Sequence, residues 1–103
     1  MHALIVTYPK PADAQAFKTY YRDTHIPLAI KLPGLLRYEY AYPDVLGAEQ
    51  PPFFCIWKGY FENEQAMQAA LASPEGRAVA EDVPNYSPSG AKLSHAEIGG
   101  GQP

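Results

Sequence analysis

FKTYYRDTHIPLAIKLPGLLRYEYAY, residues Phe17 to Tyr42, decides how this chain folds. Phe17, Tyr20, Tyr21, Thr24 and Leu28 recur at i, i+3, i+4 spacing, the apolar stripe of an amphipathic helix. Pro27 lacks an amide proton and crowds the preceding turn, so a break or kink is expected near His25 and Ile26, with a short resumption to Leu32. Pro33-Gly34 reads as a turn. Leu35 to Tyr42 then alternates, with Leu36, Tyr38, Tyr40 and Tyr42 on one face and Arg37 and Glu39 on the other, as a strand does. One imidazole and several phenols fall within this single helix–turn–strand unit. That is more polar chemistry than a core needs, and a ligand is expected here.

Working outward, His2 to Tyr8 (HALIVTY) is a short, apolar, β-branched strand stopped by Pro9 and Pro11. Asp13 is placed to cap the first helix. Pro43 to Pro52 is a proline-bounded loop, and Phe53 to Phe61 (FFCIWKGYF) is a strand dense in aromatics. Asn63 caps a helix running to Leu71, with Ala66, Met67, Ala70 and Leu71 facing inward. Ser73-Pro74 restarts a helix, serine at the cap and proline at the first helical position. That helix carries Ala78, Val79 and Val83 and ends by Pro84. Ala91 to Ile98 (AKLSHAEI) is the last strand. The order β-α-β-β-α-β is the split βαβ, ferredoxin-like arrangement. It is an α+β fold, with a four-stranded antiparallel sheet and both helices on one face. The other face is expected to carry an exposed apolar patch, and the simplest cover is a second copy packed sheet against sheet, a homodimer.

Composition narrows the rest. A chain of 103 residues with 47% hydrophobic residues forms one domain, expected over residues 1–98, with Gly99 to Pro103 as a flexible tail. The net charge is −3 with no basic run, which argues against nucleic acid and anionic membrane surfaces as partners. Cys55 is the only cysteine, so no intrachain disulfide forms and a reducing compartment fits. Met1 to Tyr8 is too short for a signal segment, and no run reaches the length of a membrane span. A soluble, cytoplasmic protein is expected. No glycine-rich phosphate cradle occurs, and no cofactor is expected. His2 and His95 are scattered, without a nearby carboxylate pattern, so no metal site is expected.

Among the candidate residues, His25 comes first. It lies four residues after Tyr21 and shares its helix face. An imidazole there can accept or donate a proton near neutral pH. The plainer role is a hydrogen bond to backbone freed at the kink. Tyr38 could orient a ligand oxygen or stabilise an enolate. Alternating tyrosines also fill interfaces, and the residues leave open which face of their strand meets the helices. Trp57 shares a face with Phe53, Cys55 and Phe61 and offers a planar apolar wall. Cys55 itself lies amid Phe54, Ile56 and Trp57, where burial raises a thiol pKa and weakens it as a nucleophile. Arg37 and Glu39 form a surface or intersubunit pair.

YPKPADAQAFKTYYRDTHIPLAIKLPGLLRYEY (Tyr8 to Tyr40) and PEGRAVAEDVPNY (Pro74 to Tyr86) resemble the EthD family of bacterial proteins. The signature F-x-x-Y-Y-x-x-x-H-x-P-L falls on Phe17 to Leu28, and K-x-P-G-L on Lys31 to Leu35. The resemblance runs from Leu4 to Ile98 and implies a dimeric α+β barrel with a pocket between the helices and the sheet. The family is named for a protein associated with ethyl tert-butyl ether degradation, and most members have no assigned activity. Related barrels include muconolactone isomerases, cofactor-independent quinone-forming monooxygenases, and decarboxylases or dehydratases of aromatic polyketides. By the resemblance, His25 faces the pocket as acid/base. Tyr38 stands with it, and Phe17, Tyr20, Tyr21, Leu28, Tyr40 and Trp57 are the candidate substrate-binding residues. Isomerase-type relatives that use a cysteine need it near the end of the third strand, where this chain has Gly59 and Tyr60.

Two function classes follow. One is a cofactor-free enzyme acting on a small hydrophobic or aromatic oxygenated compound in a catabolic or secondary-metabolic pathway. The other is a non-catalytic carrier or accessory protein of an oxygenase pathway. A purely structural dimer would leave His25 and Tyr38 replaceable by apolar residues of similar shape.

Overall fold

The computed structural model describes residues 1–103. Strand β1 is His2–Tyr8, β2 Arg37–Ala41, β3 Cys55–Phe61 and β4 Lys92–Glu97. They form one antiparallel sheet in the order β2-β3-β1-β4, the ferredoxin-like topology. The last three strands are each shorter than expected. Phe53 precedes β3, and Leu36 and Tyr42 flank β2.

Helix α1 (Ala14–Tyr20) starts at Asp13, whose carboxylate accepts the Ala16 amide at 3.0 Å. Of the break or kink expected near His25 and Ile26, the break does not occur. A π-helical turn over Tyr21–His25 carries the chain into α2 (Ile26–Ala29), and the Ile26 amide reaches back to the Tyr21 carbonyl. Widening the turn ahead of Pro27 relieves the crowding that a proline imposes on an α-helix. It also turns the buried stripe. Phe17, Tyr21, His25 and Ala29 are buried, whereas Thr24 is exposed and Leu28 only half-buried. A π-helical continuation, an end at Ala29 and a turned stripe replace the break, the run to Leu32 and the stripe through Thr24.

Helices α3 (Glu64–Ala72) and α4 (Pro74–Asp82) meet at Ser73. Its amide closes α3 on the Ala70 carbonyl, and its hydroxyl accepts the Gly76 amide at 3.0 Å to open α4. Asn63 caps α3 through the Ala66 amide at 2.8 Å. Gly76 lets α4 cross close over the end of α3: a Cβ there would lie 2.6 Å from the Leu71 carbonyl oxygen. A short 3₁₀ turn, Val83–Asn85, follows α4.

Register settles which face is which. Tyr38 pairs with Gly59 and Tyr40 with Trp57, while Val6 pairs with both Trp57 and Leu93. Tyr38 and Tyr40 therefore lie on the helix-covered face. The opposite face carries Ile5, Ile56 and Tyr60, interspersed with Thr7, Lys58, Arg37 and Glu39. It is mixed rather than the broad apolar patch expected. The exposed Arg37–Glu39 pair at 3.2 Å lies on it, and the Arg37 guanidinium stacks 4.1 Å from the Tyr60 ring centroid. No helix is long and apolar enough to cross a membrane.

Candidate functional site

A cavity of about 230 Å³ lies between the helices and the sheet. Leu4, Val6, Tyr8, Trp57 and Leu93 floor it, and Ala29, Gly76, Val79, Ala80 and Val83 help to roof it. Small side chains at Ala29, Gly76 and Ala80 leave the room. The walls are almost wholly apolar, so the few polar groups at them decide what the cavity can do.

His25 is the foremost of these. It ends the π-helical turn, is 2% exposed and lines the cavity. Its Nδ1 lies 2.9 Å from Oδ2 of Asp82, which closes α4 and is itself buried. Asp82 Oδ1 also accepts the Tyr20 hydroxyl at 2.7 Å and the Asn85 amide at 3.0 Å. Burial pushes the Asp82 carboxyl upward, but the hydrogen bonds from Tyr20, Asn85 and His25 outweigh it and hold the group below its ordinary range. Burial likewise depresses the imidazole pKa, and Asp82 only partly offsets it. At neutral pH the pair is therefore an ionised carboxylate and a neutral imidazole. The carboxylate fixes the proton on Nδ1, an assignment from the hydrogen bond. Nε2 keeps a free lone pair and no protein partner, the state of a general base.

Behind His25 stands a stack of phenols. The Tyr21 ring lies 5.3 Å from the imidazole and nearly parallel to it, and the Tyr86 ring is 4.6 Å away. Tyr86 and Tyr21 donate to the Tyr8 hydroxyl at 2.8 and 3.4 Å. Burial holds all three phenols above their ordinary pKa, so they stay protonated. Because Tyr8 accepts from both neighbours, its own proton is not used within the trio. Trp57 adds a further donor: it lines the cavity, and its indole Nε1–H is buried with no hydrogen-bond partner. That nitrogen is sealed by its own packing, so an acceptor reaches it only when the indole shifts.

Of the sequence candidates, His25 and Trp57 meet at the cavity. Phe17 and Tyr21 are buried core beneath His25, and Tyr20 holds Asp82. Tyr40 packs edge-on against Tyr21. Tyr38 stacks on Trp57 at 6.4 Å, 39% exposed and off the cavity wall, and Leu28 stands apart from the cavity. Cys55 is fully buried, its thiol pushed up to about 12 by burial. Three groups that sequence reasoning passed over complete the site: Asp82, Tyr8 and Tyr86. Asp82 had a signal. It lies three residues after Val79 and next to Val83, on the inward stripe of its helix. It also closes a helix whose dipole disfavours an acid at that end.

Fold and site together define a ferredoxin-like α+β domain holding a partly open apolar cavity with a buried histidine–carboxylate pair. The chain belongs to the EthD family, since residues 9–89 match the EthD domain. It is 32% identical over 93 residues to an uncharacterised 11.0 kDa protein encoded in the thcB–thcC intergenic region of Rhodococcus erythropolis, covering 90% of each chain. An EthD-family protein from Bacillus halodurans superposes with a TM-score of 0.84 at 29% identity, covering 95% of this chain and 98% of that one. An EthD-like protein from Ralstonia eutropha superposes at 0.75 and 21% identity, over 93% and 89% of the two chains. At 15% identity the fold is shared with a cofactor-independent oxygenase from Streptomyces nogalater (TM-score 0.66, 99% and 96% covered) and a dimeric ferredoxin-like protein from Jannaschia (0.65, 94% and 97%).

Proposed function

We propose that this EthD-family protein binds a small hydrophobic or aromatic oxygenated compound in the cavity and converts it without a cofactor. His25 Nε2 acts as general base. The observation that carries this reading is the His25–Asp82 hydrogen bond, which leaves a neutral imidazole with a free lone pair at the end of an apolar cavity. A base alone removes a proton. The negative charge left on the substrate oxygen also needs donors; Tyr8 is the phenol at the cavity wall, and Trp57 Nε1–H joins it when the indole shifts. A phenol or an enolisable ketone fits this set, because each loses a proton to a base and gathers charge on an oxygen. The shared fold of a cofactor-independent oxygenase is compatible, while the reaction rests on the site. We infer as well that the chain works as a homodimer through the uncovered sheet face, where the half-buried Ile5 and Ile56 would meet a second copy. The dimeric Jannaschia protein shares this fold.

Trp57 is the only tryptophan and lines the cavity, so its emission reports occupancy directly. Titrating phenols and aryl ketones should shift that emission saturably and perturb the His25 ring resonances. Turnover of any binder should fall ~10²–10⁴-fold in His25→Gln with binding largely kept. Binding without turnover would reassign the protein as a carrier. No response from either reporter across the panel would overturn the proposal.

A further inference from the structure

The far end of the helix-covered sheet face holds a second cluster, separate from the His25 pair. His2 and His95 lie 93 residues apart in sequence, but pairing of β1 with β4 brings their rings together, with Nε2 of His2 2.7 Å from Nδ1 of His95. Each stands two residues along its strand from a residue of the cavity floor, His2 from Leu4 and His95 from Leu93. Glu64, in the first turn of α3, converges on them from the helix layer. One ligand atom from each of the three residues lies within 4.8 Å of the others. Glu64 is exposed and engaged in no ion pair, so its carboxylate is free to swing.

We propose that His2, His95 and Glu64 bind one divalent first-row transition cation. Two imidazole nitrogens and one carboxylate oxygen form a borderline ligand set, suited to Zn(II) or Co(II) and poorly suited to Mg(II) or Ca(II). The geometry needs little change. At metal–nitrogen distances near 2.1 Å and tetrahedral angles, the two nitrogens stand about 3.4 Å apart. Small ring rotations reach this spacing from the present one. The ring that carries the shared proton switches tautomer through solvent, moving that proton to its far nitrogen, so both facing nitrogens offer lone pairs and both imidazoles stay neutral. Three protein ligands leave an outward coordination position for water. The bound cation ties β1 and β4 to the start of α3, and so fastens the helix layer to the sheet beside the cavity.

The test is titration of the full chain with Zn(II), and with Co(II) as a spectroscopic probe, followed by absorption and thermal unfolding. The expected result is saturation at one ion per chain, a Co(II) visible band from nitrogen and oxygen ligands at low coordination number, and a midpoint raised by several degrees. His95→Ala and Glu64→Gln, both at exposed positions, should each weaken binding by on the order of tenfold or more. Absence of saturable binding in the unaltered chain would overturn the proposal. So would binding that both variants leave intact, which would place the ion on the N-terminal amine and His2 alone.

Discussion

Asp82→Asn is the sharpest perturbation of the candidate site, because it alters charge and donor pattern while keeping shape. In the structure the carboxylate accepts from Tyr20 at 2.7 Å, from Asn85 at 3.0 Å and from His25 Nδ1 at 2.9 Å. The amide oxygen can keep Tyr20 and Asn85. The amide nitrogen then faces Nδ1, donor against donor, and the ring relieves this by moving its proton to Nε2. His25 would present an N–H to the cavity in place of a lone pair. Three charge-assisted hydrogen bonds become neutral ones of about half the strength, so a stability loss of roughly 1–3 kcal/mol is expected. For a domain near this size that lowers the unfolding midpoint by about 4–8 °C per kcal/mol. Long-range proton–nitrogen NMR of the imidazole reads the tautomer without any knowledge of substrate, with His25→Gln to assign the signal. The unaltered protein should show a protonated Nδ1 and a bare Nε2 at pH 7.5, and the variant the reverse. A ring already protonated on Nε2 in the unaltered protein would refute the reasoning, as would a tautomer unmoved by the substitution.

Three further outcomes follow from packing and burial. A Cβ at Gly59 would lie 2.6 Å from Trp57 Cζ3 and closer still to Cη2, so Gly59→Ala should displace the indole, change its emission and cost about 1–3 kcal/mol; an unchanged emission spectrum would contradict the close packing. Burial raises the Cys55 thiol to about 12, so the native protein should resist a disulfide reagent at pH 8 and react only once unfolded. Fast labelling of the native state would contradict its burial. Acid should destabilise the fold in two stages. The His25 pKa is depressed below 6.5 by burial, so the unfolded chain takes up this proton first, and stability falls from pH 6.5 down through the folded pKa. The Asp82 pKa is held below 3.8, so its contribution, intact above that pH, is lost on further acidification. Urea midpoints against pH should show His25→Gln flattening the upper stage, and identical profiles for the two proteins would count against it.

Elements were legible in the sequence where a single local cause dictated them. Asp13, Asn63 and Ser73 each stand at a helix start because a short acceptor side chain is needed there, and each caps in the structure. Strand β1 followed from its short β-branched run, β2 from alternation and β3 from its aromatic density, and their order from the split βαβ pattern. Strand ends were less legible. Phe53 has a strand-forming side chain but no ladder partner where the sheet stops, and Leu36 falls just outside β2 although its amide still donates to the Tyr60 carbonyl at 2.8 Å. The site was legible only on the helix that carries the signature. His25 could be singled out for its place before Pro27, whereas Asp82 lies 57 residues away and its partnership exists only once α4 folds back over the sheet. A cavity leaves still less trace, because Ala29, Gly76 and Ala80 read as ordinary small helix residues.

The π-helical turn joins these two limits. A buried stripe at Phe17, Tyr21, His25 and Ala29 advances four residues per turn. That is wider than the 3.6 of an α-helix and reflects one expanded turn set among ordinary ones. Reading the stripe at 3.6 carries it through Thr24 to Leu28, which turns His25 toward the edge of the buried face. The signal for the wider turn was present in Pro27, whose missing amide and bulky ring make a regular α-helical turn costly there. The constraint that was read as a break or kink is met by expansion, and that expansion keeps His25 in line with Tyr21 and pointed at Asp82. Pro27 thus acts on the candidate chemistry without touching the cavity. It sets the helical phase, and the phase puts the imidazole nitrogen opposite the one buried carboxylate that can fix its tautomer.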